Sequence, residues 1–464
     1  MCEWPLGLGF GAADRMRRNR RECPRRGDRE RDNDAPRKTA SCSTRAARPG
    51  EPSGSAALER WPRPSPVWAH TMTTVPGATS DGPPRPLNVG DIVVCRHDRL
   101  GEWVAAQITE LDPAWRKAGV LELDWSGPEQ PSTVDDLGSV GALRLTHHSW
   151  DGRLSHTNCD WVLPRSYRVI GSMPLVHDRR ANSYTGRWRV GDQLARQRAW
   201  DRGEHDWRDP TALELSAADL AQALADGAPL RTEIRRLRAN GISEVDGRRL
   251  VEVFPNLTNL TLGGSLGHLA NAGGLNQLHS LRELFIADLF GMTKADCLLP
   301  ERAPDLECLD LHSVPHEYAT AMRTRWRLQV AHGTSVDISK ARKPEWVREN
   351  RDNPLRDWDG REHITAARFK KAVAQFKKTR REVLAVLAPQ PDASSLARLA
   401  DLGREYALAF NRLDRRSPFI ETEEREEFLA ALQSVVTERE QDLGRSLSAE
   451  RIALLAGVDG ARSW

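Results

Sequence analysis

Four side chains that could bind zinc lie close together in the sequence: His147, His148, His156 and Cys159, all within 13 residues. Their spacing matches no standard zinc site, and adjacent histidines on an extended strand point to opposite faces. The sequence therefore favours surface or loop histidines here. We predict that the protein needs no metal ion and no other cofactor.

Two aspartates, Asp357 and Asp359, flank a tryptophan in a turn that Gly360 closes. Carboxylates at this spacing could act on water or on a cation, but in such turns they more often accept hydrogen bonds from their own backbone. The sequence contains no G-x-S-x-G, H-E-x-x-H or P-loop motif. It favours a non-catalytic protein, and an enzyme with a site in the C-terminal helices remains an alternative.

A basic amphipathic segment, Phe369–Glu382, could contact phosphate groups on a nucleic acid. A solvated helix face is the simpler interpretation, because charged residues on a helix usually face water. The basic positions are Lys370, Lys371, Lys377, Lys378, Arg380 and Arg381.

The overall charge gives little support to a nucleic-acid partner. The formal net charge is +3, but residues 1–71 carry 15 Lys and Arg against 9 Asp and Glu, which leaves 53 against 56 for the remainder. That remainder is close to neutral and has no general electrostatic attraction for nucleic acid or an anionic membrane.

The cysteines and the apolar pattern indicate a cytoplasmic protein. The 7 cysteines form no C-x-x-C pair, so neither a disulfide framework nor a zinc ribbon is predicted. No stretch approaches the roughly 18 consecutive apolar residues of a membrane span, and the charged N-terminus does not have the pattern of a signal peptide.

The strongest pattern in the chain is a repeat in the middle of the sequence. Ile234-x-x-Leu237-x-Ala239 is followed by three segments of the same form, whose first positions are 23, 24 and 25 residues apart. The later segments begin at Leu257, Leu281 and Leu306. Their period lies within the range of roughly 20–29 residues for stacked strand repeats.

These segments resemble a divergent, bacterial-type leucine-rich repeat array. The resemblance is closest in Phe254–Leu262 and Ala303–Leu311, and it implies a curved solenoid with buried leucines and an outward binding face. The Asn or Cys that the family places three residues after each L-x-L is missing, so an Asn ladder cannot form. Those positions are occupied by Ile242, Ser265, Leu289 and Val314.

Short alternating strands are predicted earlier, between residues 87 and 175. They begin near Asp91, Trp103 and Val120 and continue at Leu143–Leu145 and Tyr167–Ile170. The Val89-Gly90-Asp91 turn before the first strand resembles SH3-like barrels of Tudor type. In some members of that group aromatic residues bind ligands at the barrel mouth. Here the candidates are Trp103 and Trp125, although filling a small core is the favoured interpretation.

The sequence as a whole predicts a multidomain α+β protein: a disordered N-terminal tail, a small SH3-like β-barrel, a short leucine-rich repeat α/β solenoid and a C-terminal α-helical bundle. Residues before Met72 could be an upstream extension of the reading frame. A capping helix at Leu213–Leu224 and a closing strand at Trp326–Val330 bound the solenoid. The predicted segments are 1–86 (tail), 87–175 (barrel), 176–212 (connector), 213–332 (solenoid), 333–362 (linker) and 363–464 (four-helix bundle).

The outward positions of the repeats form the predicted binding face. It changes from basic to acidic around a central aromatic, Phe285, and suits a polar peptide or a protein partner. An adaptor or scaffold is therefore the first functional hypothesis, and a regulatory nucleic-acid-binding protein is the second. Packing of Phe285 under a neighbouring domain is the competing interpretation. The predicted site residues are Arg235, Arg236, Arg238, Asn259, Thr261, Arg282, Glu283, Phe285, Glu307 and Asp310.

Overall fold

The computed structural model describes residues 86–147, 152–181, 183–205, 208–388, 393–415 and 417–464. The chain divides into two compact units, Met1–Pro83 and Pro84–Trp464, and the described residues all belong to the second. Apart from Pro86, the predicted N-terminal tail lies outside the described residues.

The first part of the described chain forms a sheet in which most neighbouring strands are antiparallel. Its spatial order is β7-β1-β2-β3-β6-β8, and β4 pairs with β5 in a separate ribbon. Val93 and Ile92 are both buried although they point to opposite faces, so both faces of the sheet are covered. The strands are β1 (Asp91–His97), β2 (Glu102–Asp112), β3 (Lys117–Gly127), β4 (Arg144–Leu145), β5 (Arg153–Leu154), β6 (His156–Asp160), β7 (Arg168–Ser172) and β8 (Tyr184–Gly186).

Two apolar clusters lie on the two faces of this sheet. One contains Val93 and Ile108 together with Leu194 from helix α1 (Asp192–Asp201). The other contains Ile92 and Val94, and both Trp103 and Trp125 pack against it. These partly buried tryptophans therefore contribute to a core, as the favoured interpretation of the sequence has it.

A buried carboxyl connects this sheet to α1. The Glu122 side chain accepts hydrogen bonds from Ser155 Oγ and from the Gly191 backbone N–H, both at 2.8 Å. Gly191 immediately precedes α1, so Glu122 fixes the start of that helix. Burial raises the pKa of Glu122 from 4.5 to about 7, while these hydrogen bonds act in the opposite direction.

The middle of the chain forms a six-stranded parallel sheet in which spatial order follows chain order. Leu237, Leu260, Leu284 and Leu309 are direct neighbours across four of its strands and are at most 2% exposed. The predicted strand repeats are therefore correct in position and in register. The strands are β9 (Ala212–Ser216), β10 (Arg236–Asp246), β11 (Asn259–Ala270), β12 (Glu283–Phe290), β13 (Cys308–His312) and β14 (Ser335–Ser339).

Both predicted ends of the sheet need correction. Leu213–Leu224 is not a single helix, because Leu213 and Leu215 pair in β9 and the helix begins only after Ser216, whose side chain caps it. Trp326–Val330 is not a strand, because Trp326 ends a helix and is fully buried. The closing strand is β14.

The connections between the parallel strands are short helices or turns on the other side of the sheet. Asp246 accepts hydrogen bonds from the backbone N–H groups of Arg248 and Arg249 and so caps α3. The helices are α2 (Ala217–Ala223), α3 (Gly247–Val253) and α4 (His316–Trp326), with 3-10 helices at Ala272–Gln277 and Arg327–His332.

A column of left-handed residues runs along the edge of the parallel sheet where the strands turn. Their φ angles lie between 46° and 71°, and most of them are not glycine. The Asp288 side chain accepts hydrogen bonds from the Leu266 backbone N–H (2.8 Å) and from Ser313 Oγ (3.0 Å), which links three members of the column. The left-handed column consists of Gly241, Leu266, Asp288, Ser313 and Lys340.

The predicted linker, residues 333–362, has regular structure. It contains β14, helix α5 (Pro344–Asn350) and a 3-10 helix at Arg356–Trp358. Trp358 is completely buried and donates a hydrogen bond to Glu427 Oε2 at 2.7 Å. The prolines and glycines that indicated a linker mark turns between short packed elements.

The last part of the chain is helical, as predicted. Phe376, Tyr406 and Phe428 come from three different helices and are at most 1% exposed, so these helices share one core. The helices are α6 (Ala366–Val386), α7 (Ala393–Asp414), α8 (Thr422–Leu443) and α9 (Ser448–Asp459).

The in-register leucines give a stability prediction. Leu260→Ala or Leu284→Ala should lower the free energy of unfolding by about 2–5 kcal/mol, because each change leaves a cavity in a closely packed core. Thr261→Ala, on the outward side of the same strand, is the control and should cost much less. Denaturant unfolding measures all three, and an unchanged midpoint for either leucine variant would contradict the register.

Glu122 gives a pH prediction. Because its pKa is raised from 4.5 to about 7, the folded protein binds a proton within this window that the unfolded chain releases. Stability should therefore fall as pH rises from 4.5 to 7. Glu122→Gln should flatten this dependence by at most about 1.4 kcal/mol per pH unit, whereas exposed Glu129→Gln should not. Urea titrations at several pH values give the free energy of unfolding as a function of pH. If this free energy changes with pH equally in Glu122→Gln and in the unaltered protein, the assignment is contradicted.

Candidate functional site

The register of the parallel sheet arranges its outward side chains in rows that cross the strands. The first row contains Arg236, Asn259, Glu283, Cys308 and Ser335. The second row contains Glu214, Arg238, Thr261, Phe285, Asp310 and Asp337. Neighbouring strands are about 4.8 Å apart, so the second row is about 24 Å long.

The antiparallel sheet of the same chain covers part of the first row. Arg187 Nη1 lies 2.5 Å from Glu283 Oε2, and the two side chains are only 23% and 17% exposed. Ser335 Oγ, farther along the row, donates to Asp160 Oδ2 at 3.3 Å. The first row is therefore largely an internal docking surface.

Two predicted site residues beside the first row take part in the same contact. Glu307 Oε1 accepts a hydrogen bond from the Ser166 backbone N–H at 2.9 Å. Burial raises the pKa of Glu307, and the hydrogen bonds from Ser166 oppose that rise. Arg282 lies 3.6 Å from Asp98. Arg282, Glu283 and Glu307 thus hold two parts of the chain together.

Arg165, which precedes Ser166 in the chain, makes further hydrogen bonds across this docking contact. Its guanidinium donates to Thr334 Oγ1 at 2.6 Å, to Gln329 Oε1 at 3.3 Å and to the Pro304 carbonyl. Burial lowers the pKa of Arg165, and the nearby Glu307 carboxylate opposes this. One arginine therefore contacts both ends of the turn that precedes β14.

Three more predicted site residues contact residues of the loops that precede the strands. Arg236 pairs with Asp209, and Arg235 donates to the Asn256 carbonyl at 3.3 Å. The Asn259 side-chain oxygen accepts from Thr258 Oγ1 at 2.8 Å. These contacts reduce the freedom of the side chains to bind a partner.

The second row contains the other predicted site residues, and it is more open. Arg238 and Glu214 are 53% and 72% exposed and lie 3.5 Å apart. Thr261, Phe285 and Asp310 are half-buried and Asp337 is exposed. Phe285 lies between Thr261 and Asp310, so an aromatic ring separates the arginine from two carboxylates.

Both ends of the second row differ from what the sequence predicts. Glu214 and Asp337 belong to β9 and β14, which were predicted as a helix and as a linker. The signals were present as Leu213-x-Leu215 and Val336-x-Ile338, whose apolar side chains pack against the core of the sheet. Each pattern has only two apolar residues, which is too few to identify a strand within the surrounding polar sequence.

The thiols near this face are poorly suited to nucleophilic chemistry. Burial raises the pKa of Cys308, in the first row, to about 12 and does the same for Cys95 in β1. Thiolate, and not thiol, is the nucleophilic form. Both cysteines therefore remain protonated near neutral pH; Cys95 is buried and Cys308 is half-buried.

The side chains considered as candidate zinc ligands make separate contacts. His147 contacts Gln193 at 3.2 Å, His156 contacts Thr109 at 2.7 Å, and Cys159 Sγ donates to the Arg187 carbonyl at 3.4 Å. His148 lies outside the described residues. Within the part of the chain that the structure describes, no three His, Cys, Asp or Glu side chains are grouped as a metal site.

The two aspartates considered as a candidate carboxylate pair have different surroundings. Asp359 pairs with Arg342 and accepts a hydrogen bond from Trp346 Nε1 at 2.8 Å. Asp357 is exposed. Asp359 thus anchors the segment that follows β14, and the two carboxylates form no common site.

Comparison with family models, with curated proteins and with solved structures finds no match to this chain. Across the described ranges, no helix combines the length and the apolar character needed to cross a membrane. The geometry of the outward face must therefore carry the functional argument.

The ion pair at the docking contact gives a prediction. Arg187→Ala should destabilise the protein by about 1–3 kcal/mol, because the Glu283 carboxylate would remain largely buried without its partner. Adding Glu283→Ala should recover part of that loss. Denaturant unfolding of both single variants and the double variant gives the coupling energy. Strictly additive effects would show that this pair does not hold the two sheets together.

Proposed function

We propose that this protein is a non-catalytic adaptor or scaffold that binds a polar peptide or a protein partner along the second row. The proposal includes a fold assignment: the parallel sheet is a divergent leucine-rich repeat solenoid, and the antiparallel sheet preceding it is an SH3-like barrel. Among the ten predicted site residues, Arg238, Thr261, Phe285 and Asp310 form the binding surface.

The repeat period and the buried columns support the solenoid assignment. Strands with the L-x-x-L-x-L pattern recur at spacings of 23, 24 and 25 residues, and α3 and α4 connect strands on the other side of the sheet. Three of the four positions at which the family has Asn hold buried apolar side chains, Ile242, Leu289 and Val314, all at most 1% exposed, and the fourth is the exposed Ser265. Apolar packing at three positions takes the place of the Asn ladder.

The turn before β1 supports the barrel assignment. Gly90 has a φ of 92°, and the Asn88 backbone N–H donates to Asp91 Oδ2 at 2.8 Å. The Val-Gly-Asp sequence therefore makes a tight turn into the first strand, as the resemblance implies. Trp103 and Trp125 pack against a core, so the barrel is not the preferred binding surface.

The observation that carries the functional proposal is the difference between the two rows. The first row is partly occupied by Arg187 and Asp160 of the same chain, whereas the second row keeps Glu214 and Asp337 exposed at opposite ends, with the exposed Arg238 beside Glu214. A partner that crosses the strands would meet the Glu214–Arg238 pair, then an aromatic ring and then two carboxylates. Aromatic and arginine side chains near the centre of an interface contribute most binding energy, which makes Phe285 the expected anchor.

Peptide selection tests this proposal directly. An extended peptide of about seven residues spans a 24 Å row at about 3.3 Å per residue. Random peptides of about that length are selected on the immobilised full chain, and their affinities are then measured in solution by fluorescence anisotropy. Phe285→Ala combined with Arg238→Glu should weaken binding of the selected peptides at least about tenfold, since hot-spot residues contribute about 2 kcal/mol or more.

A matched pair on another surface provides the control. Leu328 is 68% exposed and Arg327 is exposed beside it, in the 3-10 helix after α4. Leu328→Ala combined with Arg327→Glu makes the same chemical changes away from the second row and should leave affinity unchanged. If the Phe285 and Arg238 variant is folded and binds as tightly as the unaltered protein, the binding site lies elsewhere.

The exposed face of α6 keeps nucleic acid as a second candidate partner. Lys370, Lys371, Lys377, Lys378 and Arg381 are exposed on this helix, whereas Arg380 pairs with Glu438 at 3.1 Å. Phosphate contacts make binding fall steeply with salt. A strong salt dependence of retention on nucleic acid would favour this alternative over the adaptor.

A further inference from the structure

A cleft of about 700 Å³ lies at the turn edge of the parallel sheet, outside the second row. Phe290, the last residue of β12, forms one side together with Gly291 and Met292 after it, and α5 forms the other side. Pockets that enclose small ligands usually measure about 300–1,000 Å³. The cleft therefore has the volume of a small-molecule site, and no function proposed above uses it.

Helix α5 presents one consistent face to this cleft. Pro344, Val347, Arg348 and Arg351 all line it, and their numbers follow the i, i+3, i+4, i+7 spacing of a single helical face. Val347 extends the apolar wall formed by Phe290 and Met292. The two arginines place guanidinium groups beside that wall.

The third arginine of the cleft is held in place by its neighbours. Arg342 pairs with Asp359, and its guanidinium carbon lies 3.8 Å from the centre of the Trp346 ring. Arg348 and Arg351 are exposed, and in the described ranges neither side chain has an ion pair or a hydrogen bond to another residue. The fixed arginine shapes the cleft, while the other two are available to a ligand.

The charge balance of the lining is positive. It contains three arginines and one carboxylate, Asp352; Asp359 neutralises Arg342, which leaves Arg348 and Arg351 against Asp352, or 2 − 1 = +1. Lys377 of α6 adds positive charge nearby, since its Nζ donates to the Glu349 carbonyl at 3.4 Å. The C-terminal end of α5 opposes an anion, but a helix end carries only about half an elementary charge. The arginines therefore dominate.

Gly291 allows the sheet to approach this cleft so closely. Its φ is 98°, and a Cβ there would lie 2.4 Å from Nε2 of His268. A larger residue would have to displace the His268 ring and adopt a left-handed backbone that favours glycine. The wall that carries Phe290 and Met292 thus depends on a glycine at this position.

We propose that this cleft binds a small organic anion: an aromatic ring or short alkyl chain that carries one carboxylate or phosphate group. The apolar body packs against Phe290, Met292 and Val347, and the anionic group accepts hydrogen bonds from Arg348 and Arg351. Charge-assisted hydrogen bonds to guanidinium favour both carboxylate and phosphate. This site shares no residue with the second row and is independent of the adaptor function.

The test uses 1-anilinonaphthalene-8-sulfonate, a fluorescent aromatic anion, as the probe on the full chain. Fluorescence titration should show saturable binding of one probe molecule per chain. Arg348→Gln combined with Arg351→Gln should raise the Kd at least about tenfold, because both charged hydrogen-bond donors are lost. N-phenyl-1-naphthylamine has similar rings without the sulfonate. Its affinity for the unaltered protein should be no higher than the affinity of the anionic probe for the Arg348 and Arg351 variant.

Two further variants separate the cleft from general surface charge. Lys370→Gln combined with Lys371→Gln also removes two positive charges, but from a part of α6 about 10 Å along the helix from Lys377. This variant should change the Kd less than twofold, because salt screens charges at that distance. Val347→Trp fills the cleft while keeping the arginines and should abolish binding. Circular dichroism and melting temperature establish that each variant is folded, and if Val347→Trp does not fold, the arginine variant decides.

Competition identifies the anionic group. Displacement of the probe by phenylacetate indicates a carboxylate ligand, displacement by phenyl phosphate indicates a phosphate ligand, and either result supports the proposal. Displacement by neither compound overturns it. So does a Kd for the Arg348 and Arg351 variant within twofold of the unaltered protein, or equal affinity for the neutral amine.

Discussion

The in-register pairing of the parallel strands is the constraint on which the rest of the structure depends. Leu260, Leu284 and Leu309 meet directly across three strands and are at most 1% exposed. A slip of one residue would turn these side chains outward and bury charged ones in their place. The same register sets both outward rows, so a single choice in the core determines which charges lie side by side on the surface.

The carboxylates of the outward face have two different surroundings. Glu283 and Glu307 lie beside the antiparallel sheet and satisfy its arginine and backbone donors. Asp310 and Asp337 lie in the more open second row, where Asp310 is half-buried and Asp337 is exposed. Carboxylates on the same outward face therefore either hold two parts of the molecule together or lie in the more open row.

The sequence was sufficient for local patterns and insufficient for long-range contacts. The four L-x-x-L-x-L segments and the four C-terminal helices are readable because each apolar side chain repeats at the spacing of its own element. Strands β9 and β14 were not predicted, because two apolar residues in a polar stretch do not distinguish a strand from a helix or a turn. The outward residues of the repeats could be predicted, because they alternate with the buried leucines along each strand.

The covering of the first row could not be foreseen from local patterns. Arg187 is 96 residues from Glu283, and Ser166 is 141 residues from Glu307. Neither lies in a recognisable motif, and their pairing depends on how two sheets pack. The cleft beside α5 is hidden for the same reason, since it joins residues of β12, the start of α4 and a segment that resembles a linker.

The left-handed column has a consequence for how far the molecule can be divided into modules. A left-handed backbone costs about 1–2 kcal/mol at a residue other than glycine, and Leu266, Asp288 and Ser313 adopt it side by side. The segment after β14 braces this edge, because Arg356 donates to Ser265 Oγ at 2.6 Å and lies 3.8 Å from Asp288. The repeats therefore do not form an independent module. A fragment that ends after β14 would keep the strained left-handed residues and lose the Arg356 contacts that help to offset their cost.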